Sequence, residues 1–222
     1  SGREIIIDSD LKQEEAWNMG ASVGMNIPLF GKNLELNAEY YYTDFKHQMI
    51  MNFDGARGEH TLSFENLDGK SYSHTFQVDA TYPLLSGMTA TAAFRFNDVK
   101  CTYDGVLRLK PLTSRYKGLL TFSYKTPLEL WQFDVTGQLN GGGELYDHSR
   151  YPAYFQLQAQ VTREFHRFSI YLGGENLTNY KIDNPILHSH HPWSAAFDAT
   201  QVWGPVTGAM AYIGVRFKLE KL

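Results

Sequence analysis

Apolar and polar residues alternate with a period of two along almost the whole chain, and that period belongs to β-strands. From Trp17 the set Trp17, Met19, Ala21, Val23, Met25 and Ile27 alternates with Asn18, Gly20, Ser22, Gly24 and Asn26. Leu34, Leu36, Ala38, Tyr40 and Tyr42 follow against Glu35, Asn37, Glu39, Tyr41 and Thr43. The pattern returns at Phe76 to Tyr82, Met88 to Phe96, Gly118 to Tyr124, Trp131 to Leu139, Phe155 to Val161, Phe168 to Leu172 and Ala211 to Leu219. This reads as roughly nine antiparallel strands, many with about 12 to 18 residues of pattern, where strands of soluble proteins cluster near 5 or 6. No segment reads as a helix that would cover an exposed sheet. Residues 3–7 read as the end of one further strand running the opposite way, which makes the count even.

The connections alternate in size. Those at 30–33, 83–87, 127–129 and 166–167 are tight, and those at 53–59, 105–111, 147–152 and 181–205 are longer. Long strands with short turns on one rim and long loops on the other predict an all-β, antiparallel transmembrane barrel wall of about nine or ten strands, with the short turns in the periplasm. The parity of the strands then puts Leu222 on the periplasmic side.

Composition separates this from a soluble sandwich, in which dry faces meet one another and wet faces carry dense charge. Here the polar positions hold mostly Gln, Asn, Thr, Ser and Gly with spaced charges such as Glu39, Asp79, Arg95, Asp134 and Arg216, which suits a water-filled lumen. Ala21, Val23, Leu36, Leu120, Val135, Val161 and Ile213 are expected to face lipid, and Glu39, Asp79, Gln158 and Arg216 the lumen. Trp17, Tyr40, Tyr42, Tyr82, Trp131 and Phe168 fall near strand ends, where interfacial aromatic girdles lie. A net charge of −4 over 222 residues gives no basic excess to attract nucleic acid, and the single cysteine, Cys101, forms no internal disulfide. No run of about 18 apolar residues forms a transmembrane helix.

Three short motifs imitate enzyme signatures. Gly20-Ala21-Ser22-Val23-Gly24 fits a nucleophile elbow in letters only, because Ser22 sits inside a clean strand alternation and the motif needs a sharp strand-to-helix turn. Gly69-Lys70-Ser71 lacks the earlier glycine of a phosphate loop and reads as a turn. Gly141-Gly142-Gly143 reads as local strand flexibility near the rim. The chain is therefore read as a non-enzyme with no cofactor.

Towards the carboxy terminus the stretch Gly173-Gly174-Glu175-Asn176-Leu177-Thr178-Asn179-Tyr180, then Phe197-Asp198-Ala199, Val202-Trp203-Gly204-Pro205-Val206, Gly208 and Ile213-Gly214-Val215-Arg216-Phe217, resembles the end of TonB-dependent outer-membrane receptors. The Val-Trp-Gly-Pro form is similar to those of Bacteroidetes. Leu11-Lys12-Gln13-Glu14-Glu15 resembles the family's Leu-Lys-Pro-Glu segment, with Gln13 in place of Pro, and Tyr42-Thr43-Asp44-Phe45 and Asn66-Leu67-Asp68-Gly69 match family habits. The bland reading of these residues is architectural: the Asn and Thr side chains cap turns, and Gly204-Pro205 restarts the last strand.

The resemblance implies a bacterial outer-membrane receptor with a 22-stranded barrel filled by an amino-terminal plug. Residues 1–222 would form one region, the carboxy-terminal part of that barrel, with the plug and TonB-contacting segment elsewhere in the parent protein. It implies uptake of a scarce nutrient such as an iron chelate, haem, cobalamin, a metal or an oligosaccharide. Implied partners are outer-membrane lipid, TonB through the parent's amino-terminal region, the small-molecule or oligosaccharide cargo and a surface lipoprotein, with no nucleic acid. A passive or structural barrel such as a porin or adhesin is the alternative, and a soluble ligand-binding barrel is the third reading. Candidate substrate-binding residues lie in the long loop 181–205: His188, His190 and His191, whose imidazoles coordinate metals or hydrogen-bond cargo, and Trp193, which offers a face for stacking. Tyr180 offers a second ring, and Trp203 is expected to anchor the return to the last strand.

Overall fold

The computed structural model describes residues 4–53, 61–186, 188–194 and 197–218. Arg3, the stretch 54–60 of the first long loop, and Leu219 and Leu222 of the last strand's expected end lie outside the described residues. Among the described residues fifteen strands occur in chain order: β1 (Glu4–Ile7), β2 (Glu15–Leu29), β3 (Lys32–His47), β4 (Met49–Phe53), β5 (Thr61–Asn66), β6 (Ser71–Leu85), β7 (Met88–Tyr103), β8 (Val106–Leu109), β9 (Tyr116–Lys125), β10 (Trp131–Asn140), β11 (Gly143–Glu144), β12 (Arg150–Tyr151), β13 (Tyr154–Glu164), β14 (Phe168–Glu175) and β15 (Met210–Phe217). The only helical turn among the described residues is 3-10, Pro127–Glu129.

Nine strands form an antiparallel meander in the order β2-β3-β6-β7-β9-β10-β13-β14-β15, and β8 pairs the upper end of β7. The expected strand at the amino terminus is not part of this wall. β1 instead pairs in parallel with β5, which also pairs β4, in a separate three-stranded sheet on the long-loop rim. The tight turns all fall on the other rim. Phe30 and Gly31, both with positive φ, close β2 onto β3 in a two-residue turn whose twist matches its strands. Among the described residues β2 and β15 each have one wall neighbour, and the wall is open. Their free edges carry unpaired backbone groups that lipid cannot satisfy, so neighbouring wall strands must cover them.

Register makes each face continuous. Met25, Leu36, Ala80, Ala92, Leu120, Gly137 and Leu157 lie opposite one another in one cross-strand row. Val23, Ala38, Val78, Phe94, Gly118, Leu139 and Phe155 form the next. No charge interrupts either row. The opposite face carries Asn26, Glu35, Thr81, Thr91, Thr121, Thr136 and Gln158 in a row, with Thr81 and Thr91 hydroxyls 3.1 Å apart and Thr121 and Thr136 hydroxyls 3.0 Å apart. There Asn37 donates to Asp79 at 2.9 Å and Ser123 to Asp134 at 2.6 Å. All the residues expected to face lipid lie on the first face, and Glu39, Asp79, Gln158 and Arg216 on the second.

The apolar face is open: Val23, Met25, Phe94, Leu120, Val135, Leu172 and Ile213 are exposed, Ile213 at 75%. A contiguous apolar surface of this extent needs an apolar medium against it. Along β2 the dry set from Trp17 to Ile27 covers ten residue steps, about 33 Å of strand and about 25 Å of height at a tilt near 40°, which is the thickness of an outer-membrane apolar band. Tyr40, Tyr42, Tyr72, Phe76 and Phe96 border it towards the loops, and Tyr82, Tyr124, Trp131 and Phe168 towards the turns, with the Arg163 guanidinium 4.9 Å from the Trp131 ring centroid. The buried apolar residues Ile50, Cys101, Tyr151 and Ile182 lie instead at the loop rim.

Leu120 sits midway along β9 on the lipid face, between Tyr116 and Tyr124. In the full-length protein, Leu120→Arg should destabilise the barrel by about 2 to 4 kcal/mol, and Gln158→Arg on the lumen face by no more than about 0.5 kcal/mol, as read by denaturant titration in lipid vesicles. Equal losses would put both faces in the same environment.

Candidate functional site at the loop rim

Above the wall the loops form a structured layer. β7 continues past the membrane band into the β7–β8 hairpin, turned by Asp104 and Gly105, both with positive φ. Thr102 ties this hairpin to the preceding loop: its hydroxyl accepts from the Lys70 amide at 2.9 Å and donates to the Lys70 carbonyl at 3.0 Å. Gly69 lies at a bend and Ser71 begins β6, so the Gly69-Lys70-Ser71 motif is part of the connection from β5 to β6. The glycine run sits where backbones approach closely. A Cβ on Gly141 would lie 2.7 Å from the Tyr116 carbonyl oxygen, and one on Gly143 2.7 Å from that of Thr113, so the run exists for close approach of backbones.

The Asn-Leu-Thr-Asn motif has a concrete role. Asn176, 4% exposed and at φ 50°, ends β14 and reverses the chain. Its amide nitrogen donates to the carbonyls of Tyr180 at 2.6 Å and Thr207 at 3.1 Å, while its Oδ1 accepts from the Tyr180 amide at 3.1 Å and the Thr178 hydroxyl at 3.2 Å. Asn179 Oδ1 accepts from the Ala209 amide at 3.0 Å, and a Cβ on Gly208 would collide with that oxygen. Leu177 and Thr178 bond the carbonyls of Leu157 and Phe155 on the adjacent strand, at 2.8 and 3.0 Å. Two ends of a long loop are thereby clamped together at the wall.

Trp203 behaves as an anchor. It stacks on Tyr151 with ring centroids 5.1 Å apart and tilts against Tyr154 at 6.1 Å. The Ile182 amide donates to the Pro205 carbonyl at 3.0 Å beneath it. Tyr180 stacks on Tyr154 at 4.9 Å and 4°, so one of its faces is already occupied. His188, His190, His191 and Trp193 lie outside this cluster. They are exposed, Trp193 at 98%, on successive turns in which the His191 amide donates to His188 and the Ser194 amide to His191, each at 2.9 Å. Among the described residues no group of three or more His, Cys, Asp or Glu is placed to hold a metal ion.

A cavity of about 300 Å³ lies between the loops, lined by Asn52, Phe53, Tyr103, Asp104, Pro111, Tyr146, Asp147, His148 and Gln201. Phe53 and Tyr146 pack with centroids 4.0 Å apart. Gln201 accepts from the Tyr146 amide at 3.3 Å and donates to Asp198 at 3.2 Å, and Asp198 also accepts from the Thr200 amide at 2.8 Å. Asp147 accepts from the Ser149 amide and hydroxyl at 3.0 and 2.6 Å. Burial pushes the Tyr146 and Tyr151 phenols above their usual range, so both stay neutral hydroxyls at physiological pH. The lining comes from four separate loops. Sequence reasoning did not assemble it, and its only signal was that all four loops fall on one rim by strand parity.

An open antiparallel wall with a lipid-facing band, a polar inner face and a layer of packed loops on one rim defines a segment of a transmembrane β-barrel. The model of the TonB-dependent receptor-like β-barrel family matches residues 2–177, and the chain belongs to that family. Among solved structures it is similar to the copper transporter OprC, with 12% identity and a TM-score of 0.71 over 95% of this chain and 32% of that one. It is also similar to the FrpB iron transporter from Neisseria meningitidis, with 14% identity, a TM-score of 0.65 and coverage of 97% and 32%. A mutant of the ferric enterobactin receptor PfeA from Pseudomonas aeruginosa follows at 13% identity, a TM-score of 0.58 and coverage of 90% and 31%. The chain spans about a third of the length of these structures. A search of curated proteins finds no match.

Asn176→Ala should cost about 3 kcal/mol through orphaned buried groups and a strained left-handed alanine, and Trp203→Ala about 3 kcal/mol through lost packing. In the full-length protein both should open the loop 181–205 to limited proteolysis, whereas Trp193→Ala should leave the cleavage pattern unchanged.

Proposed function

We propose that this chain is the carboxy-terminal part of the wall and the extracellular loop layer of a TonB-dependent import receptor in the bacterial outer membrane. Its contribution to uptake is capture of cargo at the loop rim. The cavity between the four loops carries this reading, because convergent amides, carboxylates and aromatic rings on a packed rim form a recognition site rather than a plain barrel mouth. TonB would engage the parent protein through its amino-terminal region, and the barrel lies against outer-membrane lipid.

The lining also bears on cargo class. Asp104 and Asp147 contribute carboxylates, Asn52 and Gln201 amides, and neither Lys nor Arg is among the described lining residues. Such a surface favours a neutral hydroxylated small molecule or oligosaccharide, or a cationic one, over an anionic chelate. Phe53 and Tyr146 offer apolar faces for a ring. His188, His190, His191 and Trp193 would form an outer contact that first meets the cargo, above the cavity that orients it. A surface lipoprotein is the macromolecular partner this rim would accept.

The test is calorimetric titration of the purified full-length receptor with a panel of neutral oligosaccharides and with ferric catecholate complexes. Neutral ligands should bind, and Gln201→Ala combined with Asp147→Ala should weaken them about tenfold or more. Replacing the three histidines with alanine should produce a smaller loss without affecting assembly. Tight binding of the anionic ferric complexes, unchanged by the cavity variants, would overturn the cargo reading.

A further inference from the structure

The cavity between the loops holds two carboxylates that no protein cation pairs. Asp104 stands at the turn of the β7–β8 hairpin and Asp147 in the turn from β11 to β12, and both line the cavity. Asp104 has one side-chain contact, the Asn52 amide at 3.5 Å. Asp147 turns Oδ1 to the Ser149 amide and hydroxyl and leaves Oδ2 uncommitted. Among the described residues neither forms an ion pair with Lys, Arg or His, whereas Asp44, Asp98, Glu129, Glu144 and Glu164 each form one. The amide donors of the lining are already engaged with acids: Asn52 donates to Glu65 at 3.2 Å as well as to Asp104, and Gln201 donates to Asp198 at 3.2 Å. The lining is therefore rich in free acceptors and poor in free donors.

The rest of the lining is aromatic and uncharged. The Phe53 and Tyr146 rings pack 4.0 Å apart, and Tyr103 lies on the same lining. Burial above all, then the nearby Cys101 thiol and Tyr146 phenol, pushes the Tyr103 phenol up, so it stays a neutral ring at physiological pH. A metal ion does not suit this donor set, because among the described residues no three His, Cys, Asp or Glu side chains come together to hold one. An organic cation needs no such shell. It is held by opposite charge and by the faces of aromatic rings, and about 300 Å³ accommodates a substituted ammonium with part of the molecule that carries it.

We propose that the cavity takes the alkylammonium group of an amine-bearing cargo, its positive charge shared by Asp104 and Asp147 and its substituents against the Phe53 and Tyr146 rings. This rests on the reading of the rim as the capture site and deepens it: of the neutral and cationic cargo that the lining accepts, it selects the cationic. A hydroxylated neutral molecule brings acceptors as well as donors, and its acceptors find few free donors here, since the Asn52 and Gln201 amides are turned to Glu65, Asp104 and Asp198. An ammonium end brings charge and no acceptor, so each group it meets in the lining is complementary to it.

Ligand-observed NMR titration of the purified full-length receptor with choline and with 3,3-dimethylbutan-1-ol tests the proposal. The two probes share shape and hydroxyl, and differ in that a carbon of the second replaces the cationic nitrogen of the first. Choline should bind about tenfold more tightly. Asp104→Asn with Asp147→Asn should abolish that difference while keeping the turns, because asparagine adopts the left-handed backbone at 104 and retains the Oδ1 that accepts from Ser149. Glu129→Gln with Glu164→Gln removes the same charge at the opposite rim and should keep the difference. Heat-modifiable migration confirms that each variant is folded. Equal affinities, a preference for the neutral probe, or a preference that survives loss of both cavity carboxylates would each overturn the proposal. If choline gains nothing while neutral oligosaccharides bind and respond to Gln201→Ala with Asp147→Ala, this inference fails and the import reading stands; if neither probe nor oligosaccharide binds, both fail.

Discussion

Inside a hydrocarbon slab no solvent exists to receive a backbone N–H or C=O, so every amide in the crossing segment must bond to a neighbouring strand. The rest of this structure follows from that constraint. It forces strands of 15 or 16 residues at β2, β3, β6 and β7 where a soluble sheet would use far fewer, and it keeps their register unbroken across the membrane band. The irregularities occur at the margins: the register shift between Glu15 and Ala16 lies at the loop rim, and that between Pro83 and Leu85 at the turn rim. The same constraint leaves the edges of β2 and β15 in need of further strands, which agrees with a chain that covers about a third of its structural neighbours.

With the membrane supplying the apolar environment, the wall needs no protein core on its outer side. The apolar residues buried by the protein itself gather where the chain leaves the bilayer and meets water. Cys101 at 2% exposure, Tyr151, Ile182 and the hydrogen-bonded Asn176 all lie in the loop layer. That layer is packed by specific polar bonds and stacked rings, and a shaped cavity lies within it. The candidate cavity and the tertiary packing coincide at this rim, while the wall serves as the frame that sets its position.

The two surfaces of the wall show how one alternation serves two chemistries. Towards the lumen, hydroxyl and amide side chains bond one another across strands, as in the Thr81–Thr91 and Thr121–Thr136 pairs, while the buried Ser169 hydroxyl near the turn rim makes no such bond. Towards lipid, the same strands are uncharged through the middle and become aromatic and then charged at each end. The transition from Phe96 through Asp98 to Lys100 along β7 follows the change from hydrocarbon to headgroup.

The sequence by itself determined the wall: strand identity and the inward and outward face of each residue follow from a period of two, the two kinds of rim from the lengths of the connections, and the family resemblance from short carboxy-terminal motifs, because each of these signals is local and survives without knowledge of neighbours. Trp203 as an anchor and Asn176 as a turn former were legible for the same reason, being tied to short motifs. Only the tertiary structure decided that residues 4–7 join β5 in the loop sheet rather than the wall, since four extended residues look alike in either place. It alone brought Asn52, Asp104, Asp147 and Gln201 to one cavity. That grouping depends on register and on the packing of loops far apart along the chain, and contacts between distant segments leave no periodic mark in the residues that make them.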